Sequence, residues 1–366
     1  MKIKVAQEKL AQALNNVSRT AVGKVTLPIL NNVLIRVDKK KVSLITTNLD
    51  LAVIDYLPVS NSEDGVITVP AKLLAEFISN LPKGEIIEIS AKDTKLTVSS
   101  GKYTSIINGA IADDFPEIPE LNEKDAVIYK LNTDEFKSGM AKVLIASSND
   151  LTRPALTGVY FNTYDNKLAI AATDGYRLAE KLLINKVESE VKAIVPSSSI
   201  QEVMRSLNDD AEEIEIAFNE DLVRFRFGEI EIISKLIDAS FPDYQKLIPK
   251  DNNIEAILNR EELTRNTKLA ALFSKSVGGS IVCEAIKPDN FSVKSIANEF
   301  VENDSRLETK ITTNGKVNLN SRFLLDALNA LDEDEIIFKF SEHVAPVLLK
   351  NQKDNTYTHI VMPLNS

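Results

Sequence analysis

The feature of this sequence that most restricts its fold is an internal repeat. The segment LPILNNV at 27–33 recurs as RPALTGV at 153–159, an offset of 126, and Phe115-Pro116 recurs as Phe241-Pro242 at the same offset. Three further matches share it: Thr47 with Thr173, Val69-Pro70 with Val195-Pro196, and Leu81 with Leu207. Matches at one fixed offset predict successive copies of a single structural unit.

A third and more diverged copy follows. The segment NSRFLLDALNAL at 320–331 aligns with the residues that follow Pro70 and Pro196. Each copy closes on an apolar segment that contains proline, which is FPEIP at 115–119, FPDY at 241–244 and VMPL at 361–364. The repeat therefore predicts three domains, 1–124, 125–250 and 251–366, and a chain of 366 residues is long enough to hold them.

Each repeat is expected to be an α+β unit in which two helices pack on antiparallel sheets. Apolar residues at helical spacing predict a first helix over 8–22. Second helices are predicted after the Pro or Asn that ends a strand, at 72–81, 198–207 and 321–331. Thr133 and Asn259 stand where N-caps of the first helices of copies two and three belong. Strict alternation over 214–218 and 223–227 predicts half-buried antiparallel strands.

The formal net charge of −10 argues against a simple basic nucleic-acid binder, because unspecific affinity for DNA comes from Lys and Arg. The charge is segregated, however. The six helical segments together carry +5, so the rest of the chain carries −15. Helices that share one side of an assembly would make that side mildly basic. The alternative interpretation is that these are ordinary solvent-exposed helix faces, which often carry charge.

Motifs for enzymatic chemistry are scarce. The sequence contains no Walker loop, G-x-G-x-x-G, G-x-S-x-G, H-E-x-x-H or paired C-x-x-C spacing, so we predict no catalysis, cofactor or metal. His343 and His359 lie in strand-like sequence, and Cys283 is expected to be a buried small hydrophobe. No apolar run reaches the length of a signal peptide or a membrane span, which favours a cytoplasmic protein.

The densest local feature is ATDGYRLA at 172–179. Its Asp-Gly pair predicts a turn that leaves Tyr176, Arg177 and Leu178 at a strand edge. By itself this pattern indicates only a hairpin, and a binding site is the alternative interpretation. The tail at 361–364 is equally open, because it could plug a core or provide a Met-containing surface for a peptide.

Taken together, the threefold repeat, TDGYRLA at 173–179, FPDYQKLIP at 241–249, TLPIL at 26–30 and the closing VMPL resemble the family of bacterial DNA polymerase III beta subunits, the replicative sliding clamps. The resemblance covers the chain from residue 1 to 366. It implies three clamp-type domains per chain and a head-to-tail homodimer that closes into a six-domain ring. It also implies that helices line the hole, that sheets form the outside, and that the protein is a processivity factor without catalysis of its own.

The resemblance further implies three groups of site residues. Residues expected to face DNA are Lys24, Lys72, Asn80, Lys83, Lys142, Asn149, Arg205, Arg265 and Lys268. A hydrophobic peptide-binding pocket would comprise Arg153, Leu156, Thr173, Gly175, Tyr176, Arg177, Leu178, Pro242, Lys246, Leu247, Phe323, Val344, Pro346, Val361, Met362, Pro363 and Leu364. The dimer interface would pair Leu272 and Phe273 with Ser105 and Ile107, in the strand 104–108 of the other copy.

The partners implied are duplex DNA, encircled without regard to sequence, the polymerase III alpha subunit and other polymerases, the clamp loader and repair proteins. No membrane partner is expected. Two alternatives remain open on the residues alone. One is a hydrolase or transferase with a carboxylate site near Asp174 and Arg177, and the other is an interaction scaffold that does not bind DNA.

Overall fold

The structure is a computed structural model that describes residues 1–21, 27–38, 41–59, 62–207, 211–249, 252–274, 278–297, 301–311, 313–341 and 345–364. The chain forms two compact units. Unit 1 contains Met1–Thr133 and Ser198–Leu236, and unit 2 contains Asp134–Ser197 and Ile237–Ser366. Each unit therefore takes about half of the second sequence repeat.

The predicted order of helices and strands is confirmed. The helices are α1 (Gln7–Ser18), α2 (Ala71–Ser79), α3 (Thr133–Leu144), α4 (Ser197–Ser206), α5 (Arg260–Ser274) and α6 (Ser321–Ala330). The strands up to residue 132 are β1 (Lys2–Ala6), β2 (Asn32–Asp38), β3 (Lys41–Thr47), β4 (Leu51–Pro58), β5 (Ser62–Glu63), β6 (Gly65–Pro70), β7 (Ile86–Lys92), β8 (Lys95–Ser100), β9 (Tyr103–Asn108) and β10 (Val127–Asn132).

The remaining strands continue the same pattern. They are β11 (Gly158–Tyr164), β12 (Lys167–Thr173), β13 (Arg177–Ile184), β14 (Lys192–Pro196), β15 (Glu213–Phe218), β16 (Leu222–Phe227), β17 (Ile230–Lys235), β18 (Ile254–Asn259), β19 (Ser280–Ile286), β20 (Asn290–Ala297), β21 (Val301–Glu308), β22 (Gly315–Asn320), β23 (Glu335–Phe340), β24 (Val347–Asn351) and β25 (Tyr357–Val361). All strand pairs among the described residues are antiparallel, as the alternating sequence predicted.

Each unit contains one eight-stranded sheet, and the two sheets have corresponding strand orders. In unit 1 the order is β6-β2-β3-β4-β17-β16-β15-β10, and in unit 2 it is β14-β11-β12-β13-β25-β24-β23-β18. The central pairs, β4 with β17 and β13 with β25, join strands from different sequence repeats. A five-stranded sheet, β5-β1-β7-β8-β9, completes unit 1, and a four-stranded sheet, β21-β20-β19-β22, completes unit 2.

The helix caps agree with the sequence in part. The Asn259 side chain accepts a hydrogen bond of 3.0 Å from the Glu262 amide at the start of α5, so that predicted N-cap is confirmed. Thr133 is the first residue of α3 rather than the residue before it, and its hydroxyl donates to the Ala211 carbonyl. The first helix ends at Ser18, and Val22 lies outside the described residues.

Each eight-stranded sheet has a helical face and a connector face. Alternate residues of β4 show this, since Asp55 accepts a hydrogen bond from Asn16 of α1 while Ile54 packs with Phe115. We call residues 112–121 the first connector and residues 238–249 the second connector. The first packs on Leu34, Ile45 and Ile233, and the second packs through Phe241, Tyr244 and Ile248 on Ala171, Leu178 and Ile360. The two Phe-Pro elements thus hold equivalent places in the two units.

Candidate functional site

The turn between β12 and β13 is held by hydrogen bonds to its own side chains. The amides of Tyr176 and Arg177 donate to Asp174 Oδ1 at 2.9 and 3.0 Å, and the Gly175 amide donates to Thr173 Oγ1 at 3.1 Å. Gly175 has a φ of 91°, a conformation that favours glycine. A Cβ atom there would lie 3.2 Å from an Arg153 guanidinium nitrogen, so the turn and Arg153 are in close contact.

Arg177 connects this turn to α6. Its guanidinium is buried and pairs with Asp174 at 3.1 Å and with Asp326, and it lies 4.7 Å from the centre of the Phe323 ring. Removing a cation from water is costly unless anions and hydrogen bonds compensate for it. Arg177 is therefore a fixed part of the wall, and both carboxylates beside it are engaged rather than free to act as a base.

Tyr176 and Phe323 form an aromatic wall. Their rings are nearly parallel, at 21°, with centroids 6.3 Å apart. Tyr176 is 60% exposed although it is a large apolar ring, and Phe323 is half-buried beneath it. An exposed aromatic ring on a rigid turn is the type of group that anchors binding partners at interfaces.

The C-terminal strand brings the tail to the same place. β25 pairs with β13 so that Val361 lies opposite Arg177, and the Met362 amide donates to the Tyr176 carbonyl at 2.8 Å. The Leu364 amide donates to the Asn318 carbonyl at 2.8 Å. Met362, Pro363 and Leu364 are half-buried, and the hydrogen bond to Tyr176 holds Met362 beside the aromatic wall.

The other predicted pocket residues also lie in unit 2, apart from one that cannot be placed. Leu156 and Leu178 are buried, whereas Arg153, Pro242, Lys246 and Leu247 are exposed and Pro346 is half-buried. Val344 lies outside the described residues.

Sequence reasoning missed Asp326 and Asn318. Asp326 was discoverable, since it follows Phe323 by three positions on one helix and so shares its face.

Two buried polar side chains of β25, Tyr357 and His359, form a hydrogen-bonded pair. The Tyr357 hydroxyl is 2.7 Å from His359 Nδ1 and donates to the Lys142 carbonyl at 3.2 Å. Burial, together with the charge of Arg177, lowers the pKa of His359 to about 3, and burial raises the pKa of Tyr357. Both rings are therefore neutral near pH 7. Neither belongs to the His and carboxylate pattern of a hydrolase.

The residues expected to face DNA are exposed on or beside the helices, with one correction. The exposed residues are Lys72, Asn80, Lys83, Asn149, Arg205, Arg265 and Lys268. Lys142, by contrast, is 7% exposed, and its ammonium is paired with Asp332. A lysine held in this way is not available to a phosphate, so we remove it from the group. Lys24 lies outside the described residues.

The predicted interface residues require a second correction. Leu272 and Phe273 project from α5 with large exposed fractions, and Ser105 is half-buried on the edge strand β9. Ile107 is only 5% exposed, while Ile106 is 63% exposed. Successive side chains of a strand point to opposite faces, so Ile106 rather than Ile107 presents its side chain outward.

Three further observations concern chemistry. Cys283 is buried as predicted, and burial raises the pKa of its thiol to about 12. Among the residues that the structure describes, no group of three or more His, Cys, Asp or Glu could hold a metal ion. Within the same ranges, no helix is both long enough and apolar enough to cross a membrane.

Three copies of a two-helix unit on antiparallel sheets, with aromatic and aliphatic side chains gathered beside the C-terminal strand, define a clamp-type protein. Family models of the DNA polymerase III beta subunit match nearly all of the chain: the N-terminal domain at 1–119, the central domain at 130–243 and the C-terminal domain at 245–365. The chain belongs to the DNA polymerase III beta subunit family. It is a DNA sliding clamp, an accessory processivity factor rather than an enzyme.

Individual relatives agree with this assignment. The beta sliding clamp of Staphylococcus epidermidis is 27% identical over 377 aligned positions, covering 100% of both chains. The structure of a DNA polymerase sliding clamp from Bacillus subtilis has a TM-score of 0.94 at 25% identity, covering 100% of this chain and 99% of that one. A sliding clamp of Bartonella birtlesii bound to griselimycin has a TM-score of 0.92 at 29% identity, with 100% of both chains covered.

Proposed function

We propose that two copies of this chain close head to tail into a ring around duplex DNA, with domains 1–124, 125–250 and 251–366 in each copy. The exposed basic and amide side chains on and beside the helices would contact the phosphate backbone without reading sequence. Few direct contacts suit a ring that slides, because topology rather than affinity keeps it on DNA. We place this activity in the cytoplasm, where the replicated DNA of a bacterium lies.

We further propose that the groove in unit 2 docks peptide segments of polymerases, the clamp loader and repair proteins. The observation that carries this proposal is the convergence of Tyr176, Phe323 and Met362, which come from a turn, a helix and the C-terminal tail. Leu or Phe side chains of an extended peptide would fit between aromatic and aliphatic walls, and backbone groups at the tail would set its direction.

The ligand named for the Bartonella birtlesii clamp provides a probe for this groove. We expect griselimycin to bind the full-length protein and to lose its affinity when residues 362–366 are deleted. Deletion of 365–366 alone is the matched control, since it leaves Met362 and Leu364 in place. Calorimetric titration measures all three proteins. Undiminished binding after the longer deletion would contradict the assignment of the groove.

The ring is tested by its mass. Native mass spectrometry should find twice 40.5 kDa for the unaltered protein and 40.5 kDa when Leu272 and Phe273 are both changed to Ala. Leu73→Ala, at an exposed position of α2, is the control that removes apolar surface elsewhere. A dimer that survives the double change would refute the interface.

Retention on DNA separates a ring from an ordinary binder. Once loaded, the dimer should remain on nicked circular DNA and leave linear DNA through its ends. Equal retention on both forms, or on neither, would favour the scaffold that does not bind DNA or a protein that binds without encirclement.

A further inference from the structure

The second connector carries part of the proposed docking groove, yet its own backbone does little to attach it to the sheet. Pro242, Lys246 and Leu247 all lie on it. Among the described residues, the backbone hydrogen bonds within 240–249 are local, from Tyr244 to the Pro242 carbonyl at 2.7 Å and from Ile248 to the Gln245 carbonyl at 3.4 Å. The ion pair of Lys246 with Asp243, at 2.7 Å, is local too. Side chains must therefore fix the connector in place.

One side chain does so through a buried hydrogen bond. Tyr244 is 2% exposed, and its hydroxyl donates to Glu180 Oε1 on β13 at 2.7 Å. Glu180 is 8% exposed and also accepts from the Tyr164 hydroxyl at 3.0 Å. Bonds to a charged acceptor are stronger than bonds between neutral groups, and water competes little for a buried one. Burial, together with the charge of Glu180, raises the pKa of Tyr244, so the phenol stays a donor.

Aromatic packing leaves Tyr244 little freedom to move away. Its ring meets the Tyr160 ring edge-on at 6.4 Å and the Phe241 ring at 6.0 Å, and those two rings stack at 4.6 Å. The same cluster includes Leu178, a member of the groove. Glu180 follows Leu178 by two positions on β13 and therefore shares its face, so the hydrogen bond joins the connector to the strand that carries this member of the proposed groove.

The first connector lacks this bond. At the offset of 126, Ile118 stands in the place of Tyr244 and Ile54 in the place of Glu180, although the Phe-Pro element is kept. A plain apolar contact is therefore enough to lay a connector on its sheet. The phenol and the carboxylate occur in the unit that holds the groove.

We infer that the Tyr244–Glu180 hydrogen bond positions the second connector so that Pro242 and Leu247 form one wall of the docking groove. Tyr244 and Glu180 are positioning residues that touch no ligand themselves. The inference rests on the proposed docking function of the groove.

The test compares two variants, each of which removes one of the two hydroxyl groups that donate to the Glu180 carboxylate. Tyr244→Phe in the full-length protein is expected to weaken griselimycin binding about tenfold, or about 1.4 kcal/mol. Tyr164→Phe, which frees no part of the connector, should change it less than twofold. Glu180→Gln keeps an acceptor oxygen but loses the charge, so its loss of affinity should fall between those of the two Phe variants. Hydrogen exchange at the Ile248 amide should quicken in Tyr244→Phe alone.

The outcomes separate the inference from the proposed function. If the unaltered protein binds griselimycin and both Phe variants bind it equally well, the positioning role is wrong and the groove stands. Equal weakening by the two Phe variants also overturns it, because a general loss of stability would then explain both. If the unaltered protein fails to bind, the groove assignment is contradicted and the positioning role falls with it.

Discussion

The first connector lies over an open groove, whereas aromatic rings and a buried carboxylate lie beneath the second. In unit 1 a groove of about 1020 Å³ runs between the first connector and the strands β2, β3, β4, β17 and β16. In unit 2 the corresponding space holds the rings of Tyr160, Phe241 and Tyr244 and the carboxylate of Glu180. The two sheets have the same strand order, but the connectors differ in backbone as well as in side chains, with a short 3-10 helix at Ala112–Asp114 in the first and at Tyr244–Leu247 in the second.

The comparison teaches where a repeated fold can acquire a special function. Unit 1 places Leu34, Ile54 and Ile118 at the positions of Tyr160, Glu180 and Tyr244, and its polar groups gather instead around Tyr56. Lys41 lies 3.6 Å from the centre of the Tyr56 ring, and Arg226 pairs with Glu231 nearby. The strand order is shared, while the charged side chains occupy different positions in the two units.

The largest expected effect concerns the charge that unit 2 buries. Arg177→Ala should lower the free energy of unfolding by about 3 kcal/mol, because it leaves Asp174 and Asp326 without their cation. Leu51 stands at this position in unit 1 and needs no such partner. Urea denaturation measures the loss. Arg153→Ala removes a largely exposed ion pair and should cost less than about 1 kcal/mol; an equal cost would contradict the role of burial.

The next effect concerns a charge that unit 1 buries without a cation. Burial raises the pKa of Asp55 to about 6, against the hydrogen bond from Asn16. The folded state then binds the proton more tightly than the unfolded state, so stability is lost as the pH rises from about 4 to about 6. Asp55→Asn should remove this loss and add up to about 3 kcal/mol at pH 7, with no gain at pH 4.

Denaturation at the two pH values tests the Asp55 prediction, with the exposed Asp50→Asn as control. A gain that is the same at both pH values would show that packing rather than ionisation is responsible. At the equivalent position unit 2 has Lys181, which is hydrogen-bonded to Thr356, so no rise of this kind is expected there.

A transfer of the buried hydrogen bond from unit 2 to unit 1 should have an intermediate effect. Ile54→Glu alone should destabilise unit 1, because it buries a carboxylate beneath the first connector and opposite Glu231. Adding Ile118→Tyr should restore about 1 to 2 kcal/mol through the new phenol-to-carboxylate bond. A double-mutant cycle measures the coupling energy. Strict additivity of the two changes would mean that the connectors are not equivalent.

The smallest effect concerns the cation over Tyr56. Lys41→Met should lower the free energy of unfolding by about 0.5 to 1 kcal/mol through loss of the cation–π contact. Lys167 stands at the same position in unit 2, where Leu182 replaces the tyrosine, so Lys167→Met should change nothing measurable. Equal losses in both would show that the ring contributes nothing specific.

The sequence predicted the repeat, the helix and strand pattern, the Asp174-Gly175 hairpin and the Asn259 cap, because these depend on local periodicity and turn chemistry. It could not predict which strands of successive repeats become neighbours, since β4 and β17 are far apart in the chain. Lys142 was placed wrongly for the same reason, because its partner Asp332 comes from a different repeat. Ile106 and Ile107 are both apolar, so alternation alone could not tell the outward residue from the inward one.

The half-repeat offset between sequence and structure has a consequence for the order of synthesis. When the ribosome has completed residues 1–124, one edge of β4 has no hydrogen-bonding partner. Its neighbour β17 is complete only once residue 235 has been made. An unpaired strand edge is a site at which nascent chains pair wrongly with one another. The second repeat must therefore be nearly complete before β17 can pair with β4 of the first repeat. In the same way, β25 of the third repeat must be made before it can pair with β13 of the second.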